Sequence, residues 1–144
     1  MATEKTARAT WEGDLLDGTG HVRTDSGSVD QDMTWSARAQ DVEGASPEEL
    51  IAAAHATCVL MALSADLAGE GTPPKRLESE ATTAFDKVGE GFKLTTIRLK
   101  IRGEVEGLDD DAFRAAAEQA KENCPVSKAL ASVPEITLDA RLQS

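Results

Sequence analysis

Ser46-Pro47-Glu48-Glu49-Leu50-Ile51-Ala52-Ala53-Ala54-His55-Ala56-Thr57-Cys58-Val59-Leu60-Met61-Ala62-Leu63-Ser64-Ala65-Asp66-Leu67-Ala68 is the stretch whose reading decides the fold. Ser46 supplies an N-cap hydroxyl, Pro47 suits the first helical position, and Glu49 stands three residues after the cap. The residues that follow, to about Ala68, are apolar on nearly every face. A helix apolar all round is buried on all sides. In a chain of 144 residues that requires a sheet wrapped around it, or a second subunit. The run approaches the length of a membrane span. However, it is rich in Ala, contains His55, Thr57, Ser64 and Asp66, and is flanked by Glu48, Glu49 and Glu70. The buried helix of a soluble protein is the better reading.

Outward from this helix, the N-terminal side reads as strands. Ala7–Glu12, Gly20–Thr24 and Met33–Ala39 are short runs between Gly-, Asp- and Ser-rich turns. Trp11 and Trp35 are expected as core or interface anchors. On the C-terminal side, Gly69-Glu-Gly-Thr-Pro-Pro ends the helix. Leu77, Ala81, Thr83 and Phe85 alternate with polar residues, Gly89-Glu-Gly turns the chain, and Lys93–Val105 alternates again. This predicts a long antiparallel hairpin. A second helix is expected from Asp109-Asp110-Asp111, whose carboxylates favour a helix N-terminus, to Asn123. Val126–Leu130 reads as a third helix, and the alternating Ile136, Leu138, Ala140 and Leu142 as a last strand. The order β-β-β-α-β-β-α-α-β gives an α+β layout with a largely antiparallel sheet, in one domain over residues 1–144.

Composition narrows the function. Asp and Glu number 26 against 15 Lys and Arg, for a net charge of -11. Nucleic acid and anionic membrane surfaces are poor partners for such a chain. With only 3% aromatic residues and no Tyr, base-stacking platforms are also disfavoured. Two cysteines, Cys58 and Cys124, without a CxxC, exclude zinc-finger sites and a disulfide-framework domain. The first residues carry no apolar run, so no signal peptide is read, and the expected location is the cytoplasm.

The two cysteines are the candidates for chemistry. Cys58 lies inside the apolar helix, where a Cys is usually a small buried hydrophobe. Cys124 precedes Pro125 and suits the cap of the next helix, where the dipole lowers a thiol pKa. If both act, one thiolate attacks, becomes a sulfenic acid, and is resolved to a disulfide by the other. A free thiol titrates near 8.5, so lowering it by about two units requires about 2.7 kcal/mol. A nearby Arg supplies that against the negative field, and eight Arg side chains compete for the role on residues alone. Glu48 could hold such an Arg. Glu48 and Cys58 are about 15 Å of helical rise apart and offset by roughly 80°, so one helix cannot bring them into one site. If both are catalytic, Glu48 is expected to serve the Cys58 of another subunit, with action in cis or in trans left open by the sequence. His55 neighbours Cys58 on the helix. A hydrolase pair would need an orienting Asn or Asp and an exposed elbow, and neither accompanies these two residues, so a satisfied core His is expected.

Taken together these residues resemble a known family. Ser46-Pro-Glu-Glu-Leu-Ile-Ala-Ala-Ala-His-Ala-Thr-Cys58 looks like the first-cysteine motif of the OsmC/Ohr peroxidases, and Cys124-Pro-Val-Ser-Lys-Ala-Leu like the second. Asp86-Lys-Val-Gly-Glu-Gly-Phe and Glu135-Ile-Thr-Leu-Asp also fit, and Trp11-Glu-Gly-Asp resembles the OsmC branch. The resemblance implies antiparallel sheets wrapping a long buried central helix in an intertwined homodimer. It implies a thiol-dependent hydroperoxide reductase with Cys58 as the peroxidatic cysteine, Cys124 as the resolving one, and Glu48 and Arg38 as the catalytic Glu and Arg. Arg38 is chosen because Arg8 and Arg23 lack the Gly-Gly-Arg setting of the Ohr branch. Substrates of the family are hydroperoxides, the reductant is an external dithiol such as protein-bound dihydrolipoamide, and no metal, haem or flavin is used. A non-catalytic thiol sensor or stress-binding protein of the same fold is the alternative.

Overall fold

The computed structural model describes residues 2–40 and 42–143. The chain divides into two compact units, Met1–Leu50 and Ile51–Ser144. The elements are β1 (Ala7–Glu12), β2 (Thr19–Thr24), β3 (Asp30–Met33), α1 (Trp35–Ala39), α2 (Pro47–Gly69), β4 (Arg76–Val88), β5 (Gly91–Glu104), α3 (Asp110–Asn123), α4 (Pro125–Ala129) and β6 (Glu135–Leu142).

The first unit carries a three-stranded antiparallel sheet in the order β1-β2-β3. Trp11 pairs with Gly20 across β1 and β2. A Cβ at position 20 would meet the indole Cε3 at 2.5 Å, so only glycine lets the ring lie flat on the strand. The indole N–H donates to the Asp14 carbonyl at 3.1 Å. Trp11 remains 42% exposed and is therefore not a core residue of this chain. The expected third strand over Met33–Ala39 is also corrected. The strand ends at Met33, and Trp35–Ala39 is a short helix. Thr34 decides this, because its hydroxyl accepts from the Ala37 amide at 3.1 Å and caps the turn. The same chemistry starts α2, where the Ser46 hydroxyl accepts from the Glu49 amide at 3.1 Å.

The second unit packs the rest of α2 and α3 with a sheet ordered β4-β5-β6. β4 and β5 form the expected antiparallel hairpin, with a register shift at Ala84/Phe85. β6 runs parallel to β5, with Ile136 beside Ile97 and Leu138 beside Leu99. The sheet is thus mixed rather than antiparallel. Val59, Leu63 and Leu67 of α2, Ile101 of β5, and Phe113, Ala117 and Ala120 of α3 share one core with Cys124 and Ala140. Burying a side chain such as Leu63 or Phe113 contributes about 1.5–3 kcal/mol. Phe113 occupies space vacated by Gly103, where a Cβ would stand 2.6 Å from the ring. α3 is capped by the Asp109 carboxylate on the Ala112 amide at 2.8 Å, and Asp110 accepts from the Leu142 amide of β6 at 2.9 Å.

In this unit α2 does not bury its whole circumference. His55, Val59, Leu63 and Leu67, one every fourth residue, form the buried stripe, while Met61 on another face is 68% exposed. The expectation of a helix buried on all sides is corrected for the single chain. The sheet and α3 cover one side of it.

Candidate active site

The first constellation lies in the first unit. Arg38 stands in the last turn of α1 and Glu48 in the first turn of α2. The guanidinium offers its side edge. Nε donates to Glu48 Oε1 at 3.1 Å and Oε2 at 3.2 Å, and Nη2 donates to Oε1 at 2.9 Å. Glu48 is buried and Arg38 is partly exposed. A planar guanidinium held through two of its nitrogens by three contacts to one carboxylate has a fixed orientation, which a lysine ammonium would lack. The Thr34 cap therefore places Arg38, and the Ser46 cap places Glu48.

The second constellation lies in the second unit. Cys58 and Cys124 are both free thiols, the first half-buried and the second fully buried. Their side chains are hydrogen-bonded to each other. α2 supplies Cys58 one position before the core residue Val59, and Cys124 closes α3 and opens α4 ahead of Pro125. Burial pushes the Cys58 thiol up, and its hydrogen bond to Cys124 pushes it further. Burial also opposes ionisation of Cys124. There the hydrogen bond from Cys58, together with the Ser127 amide and hydroxyl and the Val126 amide, outweighs it, and the thiol is lowered. The lowered Cys124 follows the expectation from its place at a helix start. Cys58 by itself is the harder thiol to ionise.

His55 is fully buried. Its Nε2 lies 2.7 Å from the Ser127 hydroxyl. Burial lowers its pKa, so the ring is neutral near pH 7. The imidazole therefore engages Ser127 rather than Cys58, which removes the hydrolase pairing. Sequence reading missed Ser127. The available signal was its place three residues after Cys124, at the helical position whose side chain reaches back toward the cap. No group of three or more His, Cys, Asp or Glu arranged for a metal occurs among the described residues.

The structure thus assembles Arg38 with Glu48, and Cys58 with Cys124, each pair within its own unit. Two free thiols close to each other, one of them lowered, are what a thiol–disulfide redox cycle requires.

The family model for OsmC-like proteins matches residues 39–139, and the chain belongs to the OsmC-like family. It is 42% identical over 145 residues to peroxiredoxin OsmC of Escherichia coli, covering all of both chains. It is 31% identical over 116 residues to the organic hydroperoxide resistance protein OhrA of Bacillus subtilis, covering 77% of this chain and 78% of that one. The fold matches the crystal structure of an organic hydroperoxide resistance protein from Elizabethkingia anophelis with a TM-score of 0.77 at 24% identity. That match covers 99% of this chain and 100% of that one.

Proposed function

We propose that the protein is a thiol-dependent peroxidase that reduces organic hydroperoxides, and hydrogen peroxide more weakly, in defence against oxidative or osmotic stress. The observation that carries this reading is the pair of free, hydrogen-bonded thiols Cys58 and Cys124, in a full-length relative of a peroxiredoxin. The thiolate of Cys58 attacks the terminal oxygen of the hydroperoxide. The O–O bond breaks, the alkoxide leaves and takes up a proton, and Cys58 is left as a sulfenic acid. Cys124 then attacks that sulfur, forming a Cys58–Cys124 disulfide and releasing water. An external dithiol of the dihydrolipoamide type reduces the disulfide.

Because burial and Cys124 hold the Cys58 thiol high, a cation must stabilise its thiolate. Arg38, neutralised and oriented by Glu48, is the proposed cation, and it also polarises the O–O bond as the alkoxide departs. The separation of Glu48 and Cys58 along α2 supports action in trans within a homodimer. The groove of about 1260 Å³ beside α2, lined by Leu60, Met61 and Leu77, supports a partner copy that covers the exposed helix face. The cytoplasm is the proposed location.

Steady consumption of cumene hydroperoxide with excess dithiol tests the reading. Many turnovers per Cys58 are expected in the wild type and none in Cys58→Ser. One equivalent consumed and no more identifies a stoichiometric sensor instead. Mixing Cys58→Ser and Glu48→Ala chains tests the trans arrangement. Restored activity in mixed dimers supports it, and no rescue despite subunit exchange contradicts it.

A further inference from the structure

Three features of the second unit belong to one chain of hydrogen bonds. His55 Nε2 meets Ser127 Oγ at 2.7 Å, in a place where both residues are buried. Ser127 is hydrogen-bonded to Cys124, and Cys124 to Cys58. His55 Nδ1 is buried and has no hydrogen-bond partner among the described residues. An orphaned buried N–H is rarer and costlier than an orphaned acceptor. The neutral ring therefore carries its proton on Nε2 and donates it to the Ser127 oxygen. A serine oxygen that accepts from Nε2 keeps its own proton to donate, and the Ser127 side chain lowers the Cys124 thiol.

We propose that His55 is a positioning residue which, through Ser127, aims a hydroxyl proton at Cys124 and keeps that sulfur poised to close the disulfide. The proposal rests on the peroxidase reading for its consequence, since it concerns the resolving step. In that step the Cys124 sulfur attacks the sulfur of the Cys58 sulfenic acid. The S–S bond forms and the S–O bond breaks. The thiol proton of Cys124 ends on the departing hydroxide, which leaves as water. The sulfenic sulfur is reduced as the Cys124 sulfur is oxidised, so no outside electrons are needed. A hydroxyl directed at Cys124 stabilises the anionic sulfur that attacks. Without it, the sulfenic acid waits longer and is more exposed to trapping.

The test uses the full chain, reduced and given one equivalent of cumene hydroperoxide without dithiol in the presence of dimedone. Mass spectrometry then gives the ratio of Cys58–dimedone adduct to Cys58–Cys124 disulfide. In Ser127→Ala and in His55→Leu the ratio is expected to rise about three- to tenfold, the value of one hydrogen bond. His55→Gln, which places an amide N–H near the Nε2 position, is expected to restore the ratio toward wild type. A wild-type ratio in both Ser127→Ala and His55→Leu overturns the proposal. Titration of thiolate absorbance in the reduced protein reads the same bond without peroxide. In Ser127→Ala its first midpoint is expected to move up by about half to one pH unit, and an unmoved midpoint also overturns the proposal. If wild-type Cys58 is not oxidised by hydroperoxide, the peroxidase reading fails, and the titration still decides the relay.

Discussion

Arg38 presents the Nε edge of its guanidinium to Glu48, and both Glu48 oxygens are used. Arg38→Lys keeps the charge and loses the fork. It is expected to lower kcat/KM for an organic hydroperoxide by about 10²-fold, a typical loss for a charge-stabilising donor, as measured by steady-state kinetics. The two histidines make an internal contrast. His21 lies between Asp32 and Asp30, and the hydrogen bonds to Asp32 and then Asp30 raise it above its ordinary value of 6.5. His55 is lowered by burial. Proton-detected titration should place the His21 midpoint above 6.5 and the His55 midpoint below it. The linkage has opposite signs at the two sites. The His21 contribution is fully present below pH 6.5 and is lost as pH rises through its folded midpoint. The His55 contribution is present above pH 6.5 and is lost as pH falls toward its folded midpoint. Glu48 and Cys124 stand at helix starts that the sequence marks, whereas Cys58 and Arg38 were singled out by the resemblance of their flanking residues to the OsmC/Ohr motifs. The His55–Ser127 contact was not legible, because it joins residues 55 and 127 through a fold that periodicity does not specify.

At the scale of elements, caps explain both what the sequence disclosed and what it hid. Ser46-Pro47-Glu48-Glu49 announced α2, and the structure starts the helix there. Ser46→Ala is expected to cost about 1 kcal/mol in chemical denaturation. Thr34 announces α1 by the same chemistry, yet the alternation around Trp35 invited a strand. The cap outranks a period read over so few residues. The hairpin β4–β5 follows from its alternation, whereas the parallel pairing of β6 does not. Alternation states which side chains share a face and is silent on strand direction. Gly103 shows tertiary context at work, since its lack of a side chain makes room for Phe113. Gly103→Ala should destabilise the protein by about 1–3 kcal/mol, read as a lower denaturation midpoint with an unchanged m-value.

For the whole molecule, the uniform apolarity of α2 is reconciled with its single buried stripe if a second copy covers the rest. Met61, 68% exposed on that face, is the residue to charge. Met61→Asp is expected to shift the sedimentation mass from dimer toward monomer, and an unchanged dimer would place the interface elsewhere. The net charge of -11 opposes thiolate formation at Cys58 and should disfavour anionic hydroperoxides at low ionic strength. The central claim is that Cys58 and Cys124 form a redox pair driven by hydroperoxide. Mass spectrometry of the intact and digested protein after a limiting dose of cumene hydroperoxide tests it most directly. The account predicts one disulfide joining Cys58 to Cys124 within a chain. Oxidation that leaves Cys124 a free thiol, or that falls on residues other than Cys58, would contradict it.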